Sequence, residues 1–136
     1  MNKNYALVTG STAGIGLDIA KELAEKGHNI ILTARREERL KDISTQLTED
    51  FKIHCDYVVA DLSEITAPET IFKFCSDRNY SIDILVNNAG YSINKKFHET
   101  AEDEEENFLR VLGISVIALT KKFIPVMLDR KYGKIM

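Results

Sequence analysis

VTGSTAGIG, the stretch from Val8 to Gly16, decides how this chain is read. An apolar run, YALVT, leads into it, and a pattern of apolar residues at helical spacing follows. Three glycines, Gly10, Gly14 and Gly16, sit in the turn between strand and helix. A strand-to-helix turn that binds a pyrophosphate must let backbone N–H groups approach the phosphates, and it must aim a helix N-terminus at negative charge. Side chains at the glycine positions would obstruct that approach. The spacing is G-x-x-x-G-x-G rather than the commoner G-x-G-x-x-G. It is no phosphate-binding P-loop either, because Leu17-Asp18 stand where a Lys-Ser/Thr pair would have to follow the last glycine.

Working outward, strands and helices alternate. GLDIAKELAEKG places Leu17, Ala20, Leu23 and Ala24 at helical spacing and stops at Gly27. NIILTA is a second strand. REERLKDISTQL is a helix with Leu40, Ile43 and Leu47 on one face, and KIHCDYVVAD is a third strand. APETIFKFCSDR is a helix with Pro68 in its first turn, where a missing N–H is tolerated. IDILVNNAG is a fourth strand. The segment from Glu99 to Arg130 is one long helix or two in succession, with a kink or boundary expected at Pro125. Its acidic run, Glu102 to Glu106, suits a solvated helix N-terminus. GKIM opens a fifth strand. Strands in alternation with helices imply βαβ units and a parallel sheet. The continuously apolar interiors ALV, IIL and ILV suit strands covered on both faces. The fold expected over residues 1–136 is a single α/β domain, a doubly wound parallel Rossmann sheet.

Composition narrows the function. The chain is 44% hydrophobic and 29% charged, as soluble globular proteins are. A net charge of −3 without a basic cluster argues against a nucleic-acid surface. No apolar run approaches the roughly 20 residues of a membrane span, so no membrane is expected. The N-terminus lacks the apolar core and cleavage site of a signal peptide. Cys55 and Cys75 form neither a disulfide framework nor a C-x-x-C pair, and they read as packing residues in a reduced, cytoplasmic protein. His28, His54 and His98 stand apart, with no metal-ligand spacing.

The strand ends carry the remaining chemistry. The second strand closes on Thr33-Ala34-Arg35-Arg36, with no acid at its tip. An acidic residue there would take the ribose hydroxyls of NAD, whereas an arginine suits the 2′-phosphate of NADP. Arg35 therefore favours NADP, unless both arginines simply open an exposed helix. Asp61 follows the third strand and is placed to accept from an adenine amino group or to cap the next helix. Asn87 and Asn88 follow the fourth strand, where Asn and Gly also favour turns.

Together these residues resemble the short-chain dehydrogenase/reductase family, from Tyr5 to the end of the chain. TGSTAGIG resembles its T-G-x-x-x-G-I-G cofactor turn, NNAG its fourth-strand motif, and Asp61-Leu62 its adenine-contacting pair. LTKKFIPVMLDRKYGKIM resembles the stretch that leads into the fifth strand, and TARREERL is similar to the NADP-preferring reductases. The resemblance implies cofactor contacts at Gly10, Ser11, Thr12, Gly14, Ile15, Gly16, Arg35, Asp61, Leu62, Asn88, Ala89 and Gly90. It implies NADP rather than NAD, and hydride transfer between nicotinamide and a small-molecule carbonyl or secondary alcohol. A homo-oligomer and about five of the family's seven strands are implied as well.

The family's chemistry uses a Tyr as general acid, a Lys that lowers its pKa, a Ser that polarises the carbonyl and an Asn in a proton relay. An unperturbed Tyr has a pKa of about 10 and needs that nearby cation. The Ser and the Tyr-x-x-x-Lys pair would fall beyond Met136, and Leu112 occupies the relay Asn position. The expectation is thus the cofactor-binding half of an enzyme, inactive alone and with no catalytic residue of its own. The rival reading is a non-catalytic nucleotide-binding module. Tyr91 and Lys95 do spell Y-x-x-x-K. They follow NNAG in a loop, however, not on the helix that would set Lys beside Tyr.

Overall fold

The computed structural model describes residues 4–136. Five parallel strands lie in the order β3-β2-β1-β4-β5: β1 Asn4–Thr9, β2 Asn29–Ala34, β3 Cys55–Val59, β4 Ser81–Val86 and β5 Lys134–Ile135. Helices α1 (Gly14–Glu25), α2 (Glu37–Phe51) and α3 (Ala67–Asp77) connect the first four strands. After β4 the chain forms a short 3₁₀ turn (Phe97–Glu99). It continues through α4 (Glu102–Leu109), a π-helical segment (Arg110–Ile114) and α5 (Ser115–Asp129) before it reaches β5.

The period-2 alternation of strand side chains fills two cores, one on each face of the sheet. Ala6, Val8, Ile30, Leu32, Ile84 and Val86 face α1 and α2, where Ala20, Ala24, Leu40, Ile43 and Leu47 meet them. Tyr5, Leu7, Ile31, Val58, Ile82 and Leu85 face α3 and α5, against Ile71, Cys75, Leu119, Phe123 and Met127. This two-sided burial is what the unbroken apolar runs require. The small residues Ala20 and Ala24 let α1 lie close to the sheet.

Two expectations need correction. Pro125 does not end its helix, which runs through it to Asp129. Phe123 and Met127 are buried on either side of it and hold the helix to the sheet. The irregularity lies earlier, in the π-helical turn around Leu112. The second correction concerns length. The helical stretch Glu102–Asp129 spans 28 residues and is apolar enough, by length and composition, to cross a membrane. One face of it, Val111, Ser115, Leu119, Phe123 and Met127, is buried against the rest of the chain, while Ile114, Ile117, Ile124 and Leu128 are exposed. At its end Arg130 donates to Asp83 Oδ1 at 2.6 Å, to the Ile82 carbonyl at 2.7 Å and to Ser81 Oγ, clamping the helix to β4 just before β5.

The strand order reverses between β1 and β4. β2 and β3 follow β1 outward on one side, and β4 lies on the other. Connections at such a switch point leave in opposite directions and open a crevice beyond the carboxyl ends of the strands.

Candidate functional site

A groove of about 850 Å³ occupies that crevice. Its floor is the glycine turn, with Gly10, Thr12, Ala13, Ile15 and Gly16. One wall carries Thr33, Ala34, Arg35 and Arg36 from the end of β2, and beyond them Asp61 and Leu62. Asn88 and Ala89 lie against the turn, and the far end is made by Gly90 and Tyr91, with Asn107 and Val111 from the long helix.

The glycines serve different needs. Gly10 and Gly14 have φ of +63° and +55°, a region that L side chains rarely adopt. A Cβ on Gly10 would come within 2.8 Å of Ala89 Cα, and one on Gly16 within 2.3 Å of both Asn88 Nδ2 and the Gly10 carbonyl. The crowding at these two positions therefore comes from the protein itself. Around Gly14 a Cβ would meet nothing within 4 Å, so its requirement is conformational.

Hydrogen bonds lock this end of the groove. Thr9 Oγ1 accepts from the N–H groups of Asn88 and Ala89, both at 2.9 Å. Asn88 Nδ2 donates to the carbonyls of Thr9 at 3.1 Å and Gly10 at 3.2 Å. Ser11, fully buried, accepts from the Thr33 N–H at 3.1 Å and lies outside the groove lining. Ser11 and Asn88 thus spend their side chains on shaping the turn. Arg39, on α2, donates from Nε to the Thr12 carbonyl at 3.3 Å.

Arg35 is exposed at the groove wall and acts electrostatically on Asp61. Burial pushes the Asp61 carboxyl up. Hydrogen bonds from the Ser63 hydroxyl and N–H, with the Arg35 cation, outweigh that and hold it below the usual carboxylate value. Asp61 does not cap the next helix, whose N-cap is Thr66; its Oδ1 accepts instead from the Ser63 hydroxyl and N–H. Leu62 is buried beneath it. Thr33 Oγ1 is buried with no hydrogen-bond partner.

Leu112 lies near Gly90 at the far end, 3.7 Å from where a Cβ on that glycine would sit. Tyr91 and Lys95 make no pair. Tyr91 packs edge-on against Phe108 at 5.5 Å, and Lys95 binds Glu104 at 2.9 Å. Burial pushes both cysteine thiols up to about 12, so neither is an available thiolate at neutral pH. Among the described residues no group of three His, Cys, Asp or Glu could hold a metal. Sequence reasoning missed Arg36, Ser63, Tyr91, Asn107 and Val111. Asn107 and Val111, four apart on a helix, carried a usable signal of a shared face. The others adjoin residues already singled out.

Comparison with known proteins agrees with this geometry. Residues 4–136 match the family model for short chain dehydrogenase. The chain is 34% identical to a very-long-chain 3-oxoacyl-CoA reductase of Mycosarcoma maydis, over 98% of this chain and 39% of that protein. It is 35% identical to the inactive hydroxysteroid dehydrogenase-like protein 1 of Homo sapiens, over 96% of this chain and 40% of that protein. The crystal structure of L-sorbose reductase from Gluconobacter frateurii, complexed with NADPH and L-sorbose, superposes with a TM-score of 0.90 at 29% identity, covering 99% of this chain and 53% of that one. The chain thus spans between two fifths and about half of the proteins it resembles. By sequence match, strand order and the site at the switch point, it belongs to the short-chain dehydrogenase family.

Proposed function

We propose that this chain is the NADP(H)-binding half of a short-chain oxidoreductase that acts on a small-molecule carbonyl or secondary alcohol. The observation that carries the reading is the wall of the groove: Ala34, Arg35 and Arg36 face it at the tip of β2, with no acid among them. A ribose diol would want a carboxylate there, and a 2′-phosphate wants a guanidinium.

The groove suits a dinucleotide in other ways. The positive φ values at Gly10 and Gly14 turn the backbone so that the first amides of α1 open onto it. The unpartnered Thr33 hydroxyl in its wall can bond to an incoming polar group. Asp61 keeps Oδ2 for an adenine amino group while Ser63 holds Oδ1. Bound nicotinamide would supply the hydride. The chain's own residues bind and orient: Gly10, Thr12, Gly14, Ile15 and Gly16 around the phosphates, Arg35 on the 2′-phosphate, Asp61 and Leu62 at the adenine, and Ala89 and Gly90 beyond. Ser11 and Asn88 contribute by holding the turn. No residue here supplies the family's Ser, Tyr and Lys, and Leu112 cannot act as a hydrogen-bonding relay, so this chain alone does not turn over substrate. The NADPH complex of L-sorbose reductase and the NADP-dependent 3-hydroxy acid dehydrogenase among its relatives support the cofactor. The exposed Ile117, Ile124 and Leu128 of α5 offer a surface for homo-oligomer contact.

A non-catalytic nucleotide-binding module is the second reading. Leu112 at the relay position favours it, as does likeness to a relative described as inactive. Both readings require cofactor binding, and fluorescence titration with NADPH and NADH tests it. The expected result is tighter NADPH binding. Arg35→Asp should weaken NADPH about tenfold relative to NADH, through loss of a charge-assisted bond and gain of repulsion. An unchanged ratio would remove Arg35 from its role.

A further inference from the structure

We propose that Arg39 is a positioning residue for phosphate recognition, acting through the Thr12–Ala13 peptide; the inference rests on the dinucleotide reading of the groove. Arg39 lies in the first turn of α2, two residues beyond the helix start at Glu37 and three beyond the exposed Arg36. Its Nε donates to the Thr12 carbonyl at 3.3 Å, across 27 positions of sequence. In a trans peptide the carbonyl of one residue and the N–H of the next point in opposite directions. Holding the Thr12 carbonyl toward α2 therefore turns the Ala13 N–H away from α2. Ala13 lines the groove, and its N–H has no protein acceptor among the described residues.

The neighbouring ties explain why such a tether matters. Before it, the turn is fixed to β2 by the Gly10 N–H on the Thr33 carbonyl at 3.0 Å and by Ser11 on Thr33. After it, the Leu17 N–H bonds the Ala13 carbonyl at 3.4 Å and starts α1. Next to the Thr12–Ala13 peptide stands Gly14, at φ +55° with open space around its Cβ position, so no packing at Gly14 holds the turn. A guanidinium on a neighbouring helix supplies the missing constraint. Its planar fork is suited to fixing a carbonyl, and its exposure means that replacement leaves no buried cavity. The ligand chemistry is a phosphate group of the dinucleotide, either the pyrophosphate or the 2′-phosphate.

The test uses this chain and its Arg39→Met and Arg39→Lys variants, with circular dichroism to confirm folding. Arg39→Met should weaken NADPH about fivefold, the equivalent of about 1 kcal/mol for one net hydrogen bond. It should also shift the Ala13 amide resonance and speed its exchange before any ligand is added. Arg39→Lys should restore part of both. Equal loss for NADPH and NADH identifies the pyrophosphate, and loss confined to NADPH identifies the 2′-phosphate. Unchanged NADPH affinity overturns the proposal, as does weakened binding with an unmoved Ala13 amide, which would mean that Arg39 acts by charge alone. If the unaltered chain binds neither dinucleotide, the cofactor reading fails. Inorganic pyrophosphate titrated against the Ala13 amide then decides the tether's role by itself. A shift that weakens in Arg39→Met sustains it, and no shift ends it.

Discussion

The two ends of the groove are built on different principles. At the glycine turn, polar side chains bond to the protein: Thr9 holds Asn88 and Ala89, Asn88 holds Thr9 and Gly10, and Ser11 holds Thr33. At the far end, Gly90, Tyr91, Asn107 and Leu112 are exposed, and the Asn107 amide has no partner among the described residues. The first end is shaped by β1, β2 and β4 before any ligand arrives, which is the preorganisation that lowers the entropic cost of binding. The second is a surface whose final form depends on what lies against it. The contrast is between a turn fixed by its own hydrogen bonds and an end left open to solvent.

Gly16→Ala is the largest way to break that contrast. The added Cβ would stand 2.3 Å from Asn88 Nδ2 and from the Gly10 carbonyl. Asn88 can yield only by giving up its two carbonyl bonds, and the Gly10 backbone can yield only by moving the turn. A loss of about 3 kcal/mol is expected, more than the roughly 1 kcal/mol of helix propensity that alanine gains. Urea unfolding measures it. An unchanged midpoint would mean that the turn is loose and the two ends are alike.

Much of this was legible in the sequence. The alternation of strands and helices, the helix faces of α2 and the glycine turn follow from periodicity and punctuation, because each is a local signal. The uses of Ser11 and Asn88 were not legible. Both adjoin the cofactor turn, yet their partners lie 22 and 79 positions away, and only the folded sheet brings them together. The π-helical segment was hidden as well, since the only irregular residue in RVLGI is Gly113, and a glycine does not distinguish π from α. Pro125 marks no helix end, because the helix continues through it to Asp129 with Phe123 and Met127 buried on either side.

A smaller effect tests the wall between the ends. The Asp61 carboxyl is held below its ordinary value, so it contributes stability that is present above the unfolded pKa, near 3.9. That contribution fades as pH falls through the lower folded value. Asp61→Asn should therefore lower stability at neutral pH and flatten the acid limb of the stability curve, with the two proteins converging at low pH. Equal slopes for both proteins below pH 4 would show that the Ser63 and Arg35 contacts do not favour the charged form.

The smallest change in stability is expected at the open end. Leu112→Asn introduces the side chain that the proposed reading expects in the relay, at a residue that is 39% exposed. Its packing toward Gly90 is at ordinary contact distance, so stability should move by no more than about 0.5 kcal/mol. The variant should still fail to oxidise NADPH with any ketone, because an asparagine orients water and protons but is no substitute for an acid or for an activated hydroxyl. A steady loss of NADPH absorbance above the protein-free rate, in either form, would mean that this chain carries its own proton donor. The far end of the groove would then be an active site rather than a surface awaiting one. A destabilisation as large as that of Gly16→Ala would instead erase the difference between the two ends, since it would show Leu112 to be as tightly built in as the turn.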